Sequence, residues 1–277
     1  MPKIEENRLY SESKIIYNIQ KEYPDKVMFK SYNRPLYIRS HLIKTGKRQK
    51  REDWIPDDRS VRRSHQLVSD YVICNRFDLF CTFTFDPKKF KDRYDFVKCS
   101  LAMQKWLHSQ RSNHSPELKY LVIPEHHKSG AIHFHALLTH FNGILNDSGH
   151  VWHEKPVYNI SGWKYGFSTC QKIPSEDVAK VSKYVRKYIT KETIAEFGRR
   201  RFLVSRNLQK PVKSYNTTSL RDCLPIGRKE IYDAGEYVVY ELDPQFFQRV
   251  KKQAEKYADL IKRQREEEEK RLYFSSY

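Results

Sequence analysis

Strict alternation of apolar and polar residues marks the strands of this chain, and a three-to-four residue period marks its helices. Residues 58–76 (DRSVRRSHQLVSDYVICNR) have the period of an amphipathic helix. Residues 78–86 (DLFCTFTFD) alternate as a strand that stops at Pro87, and 92–110 return to a helical period through Phe96, Leu101, Met103 and Leu107. The segment Tyr120–Thr139 (YLVIPEHHKSGAIHFHALLT) predicts two strands joined by a turn at Lys128-Ser129-Gly130. Residues 141–160 are rich in Asn, Asp and Gly and predict a loop-rich insertion. Trp163–Cys170 is a further strand, and Pro174-Ser175 opens a helix over Glu176–Glu192 with Ser175 as N-cap. A short strand within 199–208, a strand at 236–242 (EYVVYEL) and a long charged helix over 244–272 complete the chain. Residues 1–60 are polar, basic and irregular, with short strand-like stretches and a basic run from Lys47 to Arg51. Antiparallel strands interleaved with a few helices predict an α+β fold, one sheet with helices on its faces.

Composition narrows the partner. The 277 residues suffice for one large domain or one domain with appendages. The formal net charge is +18, an excess that implies an anionic partner, most often nucleic acid. Aromatics make up 14% of a very polar chain, and nineteen tyrosines among many Lys and Arg suit stacking on unpaired bases beside phosphate contacts. The five cysteines (Cys74, Cys81, Cys99, Cys170 and Cys223) form no CxxC pair and are expected to be reduced thiols of a cytosolic protein. The N-terminus is charged throughout, so no signal peptide is expected there, and no apolar run approaches a membrane span. No GxxxxGK[ST] segment occurs, so a P-loop ATPase or helicase domain is absent from the sequence.

Two constellations carry chemistry. Along the second hairpin strand, side chains alternate faces, so His133 and His135 point one way and Phe134 points into the core. Folding at Lys128–Gly130 brings Glu125 beside the two rings, and two imidazoles with a carboxylate make an open divalent-metal site of the Mg²⁺ or Mn²⁺ type. His126 and His127 fall at the turn. Two strand histidines on a polar face are the plain structural alternative. A structural zinc site would need a fourth ligand from His127, His140 or Cys170, and no standard spacing connects them. The second constellation is Tyr-x-x-Lys-Tyr-x-x-Lys: Tyr184, Lys187, Tyr188 and Lys191. Residues four apart share a helix face, at roughly 5–6 Å between Cβ atoms. A helical wheel puts Val178, Val181, Val185 and Ile189 in one stripe, with both tyrosines on its flank and Lys180, Lys187 and Lys191 just beyond. Phenols bordered by ammonium groups suit attack on a phosphodiester, since nearby positive charge favours phenolate and stabilises charge growing at phosphorus. The plain alternative is a pair of half-buried tyrosines supporting the helix.

Together these motifs resemble the HUH endonucleases, specifically the initiators of rolling-circle DNA replication. The family's first motif is matched by Phe83-Thr84-Phe85-Asp86-Pro87, its second by His133-Phe134-His135 and its third by Tyr184–Lys187. The paired tyrosines are similar to those of two-tyrosine initiators of small single-stranded DNA phages of the microvirus type. Single-tyrosine relatives place an acidic third ligand where Glu125 stands. The resemblance covers roughly residues 75–210 and implies a central antiparallel sheet of about five strands with flanking helices. On it rests an expected division into a basic N-terminal extension (1–60), a nicking and ligating domain (61–243) and a charged C-terminal helix (244–277). It also implies that Tyr184 and Tyr188 act as nucleophiles, helped by Lys187 and Lys191, with Glu125, His133 and His135 holding Mg²⁺ or Mn²⁺. Single-stranded or origin DNA is the implied substrate, with a host helicase and DNA polymerase as partners in the cytoplasm of a bacterial host. A plasmid initiator, relaxase or single-strand transposase would share this chemistry, although Leu137 stands where a three-histidine relaxase has its third histidine. A non-catalytic basic nucleic-acid-binding protein would bind without metal dependence or covalent adduct.

Overall fold

The computed structural model describes residues 14–38, 58–188, 201–216 and 229–275. In chain order the elements are β1 (Lys14–Glu22), β2 (Val27–Ile38), α1 (Asp58–Asn75), β3 (Leu79–Phe85), α2 (Phe96–Asn113), β4 (Lys119–His126), β5 (Ile132–Thr139), β6 (Leu145–Trp152), β7 (Lys155–Ile160), β8 (Gly166–Lys172), α3 (Val178–Arg186), β9 (Leu203–Val204), β10 (Val212–Asn216), β11 (Lys229–Asp233), β12 (Tyr237–Leu242) and α4 (Pro244–Ser275). They form two compact units, Lys47–Lys210 and Met1–Gly46 with Pro211–Tyr277. The fold is α+β, as the pattern predicts.

In the unit Lys47–Lys210, seven antiparallel strands run in the order β6-β7-β8-β3-β5-β4-β9. The two-residue period assigns their faces. Cys81, Phe83 and Phe85 of β3 and Phe134, Ala136 and Leu138 of β5 pack against Cys99, Met103, Trp106 and Leu107 of α2. The opposite face, with Leu121 and Ile123 of β4 and Leu137 of β5, packs against Val68, Tyr71 and Val72 of α1 and Val185 of α3. The sheet is therefore a central layer between helices, and His133 and His135 lie on the α1/α3 face. Helix α2 starts at Phe96 rather than at residue 92, because the Asp95 carboxylate caps it, accepting from the Val97 and Lys98 amides at 2.9 and 3.1 Å.

Residues 141–160 depart from the expected loop. They form the β6–β7 hairpin, which widens the sheet beyond the five or so strands anticipated. The turn residues His153 and Glu154 have φ of +49° and +61°, left-handed conformations usually taken by Asn-Gly, so the turn carries none of its common sequence marks. A bulge between Asp147 and His150 breaks the register, and most of β6 is exposed, so no apolar alternation develops.

In the other unit five strands run in the order β10-β1-β2-β12-β11 over a small core of Val27, Phe29, Val238, Tyr240, Leu242 and Phe247. The irregular N-terminal reading thus gives way to two paired strands. A register break, in which Ile16 faces Leu36 but Asn18 faces Ser31, loops out the segment with Pro35 and hides the alternation of β2. Because β1 and β2 pair with β10 and β12, the two ends of the chain fall in one unit, Met1–Gly46 with Pro211–Tyr277. Among the described residues no helix is long and apolar enough to cross a membrane. Cys74, Cys81, Cys99 and Cys170 are buried, the Cys81 and Cys170 sulfurs lie 3.2 Å apart as unbridged thiols, and Cys223 lies outside the described residues.

Candidate active site

The β4–β5 hairpin turns where the sequence predicts. Gly130 donates to the His127 carbonyl at 2.7 Å with a φ of +82°, and His127 donates to the Ala131 carbonyl at 2.8 Å. The register sets Glu125 directly opposite His133 and Ile123 opposite His135. Phe134 is fully buried, as the alternation requires. Across β5, the neighbouring strand β3 sets Thr82 opposite His135 and Thr84 opposite His133.

His135 is the hub. Its Nε2 lies 2.6 Å from Glu125 Oε2 and its Nδ1 lies 3.2 Å from Thr82 Oγ1. A carboxylate only accepts, so Nε2–H donates to Glu125 and the Thr82 hydroxyl donates to Nδ1. Phe80 stacks on one side of the ring, with centroids 6.0 Å apart and planes at 7°, and Tyr188 stacks on it at 3.8 Å and 18°. Burial holds the His135 imidazole below its ordinary pKa, with Glu125 opposing and Lys187 reinforcing the shift. His133 is lowered as well, first by burial and then by His127 and His135, against Glu125. His127 stacks on His133 at 4.7 Å, and the His126 ring nitrogen Nδ1 bonds the Gly130 carbonyl at 3.2 Å, both at the turn as expected.

The tyrosines come from α3. Its start differs from expectation: a 3₁₀ turn over Ser175–Asp177 precedes the helix, and Asp177 occupies the N-cap position without a side-chain cap bond. The Ser175 hydroxyl instead donates to Glu176 Oε2 at 3.3 Å. The Asp177 carboxylate is taken by Lys180 at 2.7 Å and Lys155 at 3.2 Å, which leaves it unable to cap. Val181 and Val185 face the core shared with α1. Tyr184 and Tyr188 then fall on the flank nearest the histidine strand. The Tyr188 hydroxyl donates to the Tyr184 hydroxyl at 2.8 Å. Lys187 Nζ lies 3.6 Å from the Tyr184 ring centroid and 4.9 Å from that of Tyr188. Tyr184 is 43% exposed, whereas Tyr188 is partly buried. Burial, the bond to Tyr184 and the Glu125 charge push the Tyr188 phenol well above its ordinary pKa. Lys191, the second lysine of the motif, and Ile189 lie outside the described residues.

The structure therefore brings Glu125, His135, Tyr188, Tyr184 and Lys187 into one contiguous contact, with His133 on the same face. The three expected metal ligands do not converge on one point: His135 touches Glu125, while His133 stacks on His127. Among the described residues no group of three or more His, Cys, Asp or Glu side chains is gathered closely enough for one ion. The donor chemistry still fits a divalent cation. Both rings are held towards the neutral form that ligates metal. The Thr82 hydroxyl can accept from Nδ1–H as well as donate to Nδ1, so Nε2 can be freed as a ligand without stranding the other nitrogen. Sequence reasoning missed Thr82 and Phe80. Their signal was parity: both occupy the positions of β3 whose side chains share the face of His135.

Residues 78–193 match the family model for the replication-associated protein ORF2/G2P. That span is under half of the chain, and it contains every residue of the two constellations, Lys191 included. No curated protein and no solved structure matches the chain. Over the segment that carries the site, the chain is similar to replication-associated proteins.

Proposed function

We propose that this protein initiates rolling-circle DNA replication by cutting and rejoining single-stranded origin DNA through tyrosine. The observation that carries the reading is the stack of Tyr188 on His135, with Tyr184 hydrogen-bonded to Tyr188. It joins the His-x-His strand to the tyrosine pair, two motifs that lie about fifty residues apart in sequence and need not have met.

Tyr184 is the first nucleophile in this account. It is the more exposed phenol, it accepts a hydrogen bond from Tyr188, and Lys187 lies over its ring. The Tyr188 hydroxyl orients the Tyr184 oxygen, and the Lys187 ammonium stands beside it to offset charge on the incoming phosphate. The Tyr184 hydroxyl gives up its proton to solvent as its oxygen attacks the scissile phosphorus, the P–O3′ bond breaks, and the 3′ oxygen leaves and takes up a proton from solvent. The products are a 5′-phosphotyrosine and a free 3′-OH, which a host polymerase extends. Lys187 balances charge on the phosphate, and Lys191 is assigned the same task from the motif. Glu125, His133 and His135 would hold Mg²⁺ or Mn²⁺, which when bound supplies Lewis-acid polarisation of a phosphate oxygen. Once Tyr184 is esterified, Tyr188 loses its phenolic partner and becomes the second nucleophile. It cuts the regenerated origin, and the released 3′-OH attacks phosphorus on Tyr184, breaking the Tyr–O–P bond and closing a circle. The sequence carries no P-loop, so unwinding falls to a host helicase.

The test is covalent capture on single-stranded oligonucleotides tiling the replicon that encodes the chain. The wild type should form an adduct that resists denaturant. Tyr184→Phe with Tyr188→Phe should abolish it, and Glu125→Ala, His133→Ala or His135→Ala should each abolish cleavage. An adduct from the double phenylalanine variant removes the nucleophile assignment, and undiminished cleavage in EDTA removes the metal.

A further inference from the structure

The tyrosine helix borders a groove that extends beyond the chemistry above, with Tyr184 and Lys187 at its edge. It has a volume of about 550 Å³, within the range of sites that enclose ligands of nucleotide size. Its walls are α3 on one side and the tip of the β6–β7 hairpin on the other, all within the unit Lys47–Lys210. Ile173, Pro174, Val181 and Phe80 supply apolar surface, and Tyr184 stands at one border. At the hairpin tip lies Trp152, 63% exposed although tryptophan is on average among the well-buried residues. It is held from two sides. Gln171 Nε2 donates to its carbonyl at 3.0 Å, and its ring meets His153 edge-on at 5.0 Å.

Charge identifies the occupant. Four lysines line the groove (Lys155, Lys172, Lys180 and Lys187) against a single carboxylate, Asp177. Lys155 and Lys180 share that carboxylate, while Lys172 and Lys187 rest near the rings of Tyr158 and Tyr184. An exposed indole, an apolar floor and a surplus of ammonium groups are what an unpaired nucleotide strand needs: a face to stack a base and cations to follow its phosphates. A duplex would offer no free base face to the indole.

We propose that this groove binds the single strand flanking the scissile phosphate, with a base stacked on Trp152 and backbone phosphates against Lys172 and its neighbours. The proposal rests on the reading of Tyr184 as the nucleophile and adds the track that leads DNA to it.

The experiment is fluorescence anisotropy of the full chain with labelled oligothymidylate, alongside covalent capture by the wild type. Trp152→Ala should weaken binding about 5- to 150-fold, the range of losing one stacked base. Trp152→Phe should restore most of the loss, which a contact of shape alone would not require. Lys172→Gln should flatten the dependence of log affinity on log salt by about 0.7. Trp152→Ala binding like the wild type, or a wild type that prefers duplex to single strand, overturns the groove and leaves the adduct test of the nucleophile standing. Conversely, binding that depends on Trp152 in a protein that never forms an adduct upholds the groove and removes the initiator reading.

Discussion

His135 does three jobs with one ring. It faces Glu125 with Nε2, Thr82 with Nδ1 and Tyr188 with its π face. Each contact argues a separate outcome. Because the folded pKa of both His133 and His135 lies below the ordinary 6.5, the unfolded chain binds more protons between the two values. Their contribution to stability is therefore complete above that pH and declines as pH falls through it. Denaturant titrations should show stability dropping below about pH 6.5, and His133→Gln should blunt the drop. The Thr82 hydroxyl pairs with His135 Nδ1 in either tautomer and so holds the ring's orientation. On the proposed metal reading, Thr82→Val should lower affinity for Mn²⁺ by about 10- to 100-fold in calorimetry of the DNA-free protein, the loss expected when a hydroxyl orienting the ring is removed. Unchanged affinity would show that the hydroxyl plays no such part. Glu125, His133, His135, Tyr184, Lys187 and Tyr188 were legible in the sequence because spacing along a strand or a helix fixes facing. Thr82 and Phe80 were not, since their meaning depends on which strand pairs with β5.

At the scale of elements, the hairpin β4–β5, the strand β3 and the helix α1 follow from period alone, because one face of each is buried by the core. The hairpin β6–β7 has no such face, and its turn uses His153 and Glu154 in the left-handed region. Its sequence pattern predicts a loop, and the Trp152 groove is hidden with it. Glu154→Gly should relieve the unfavourable φ and stabilise the protein by up to about 1–2 kcal/mol, read as a raised Tm. The start of β8 has the opposite requirement. A Cβ on Gly166 would overlap the Thr84 carbonyl and the Asp86 amide, so Gly166→Ala should force β3 and β8 apart and lower Tm. Phe134, between the two histidines, anchors the histidine strand from the other face. Phe134→Ala should cost about 3–5 kcal/mol in chemical denaturation and reduce site activity with it.

Over the whole molecule, the family likeness ends near residue 193, and the unit formed by Met1–Gly46 with Pro211–Tyr277 lies outside it. Its five-stranded sheet escaped the sequence because its strands come from both ends of the chain, and pairing between remote segments leaves no local period. The net charge of +18 belongs to the molecule as a whole and predicts an affinity for DNA that falls steeply with salt. The covalent step should not share that dependence once DNA is saturating. The most direct measurement is therefore of the bond itself. Digesting the DNA adduct with trypsin and nuclease releases Tyr184 in the peptide Tyr184–Arg186, apart from Tyr188, because Lys183, Arg186 and Lys187 are cleavage points. Mass spectrometry after a single turnover should find the nucleotide on the Tyr184 peptide. A nucleotide on neither tyrosine, or an adduct that survives replacement of both by phenylalanine, would contradict the account.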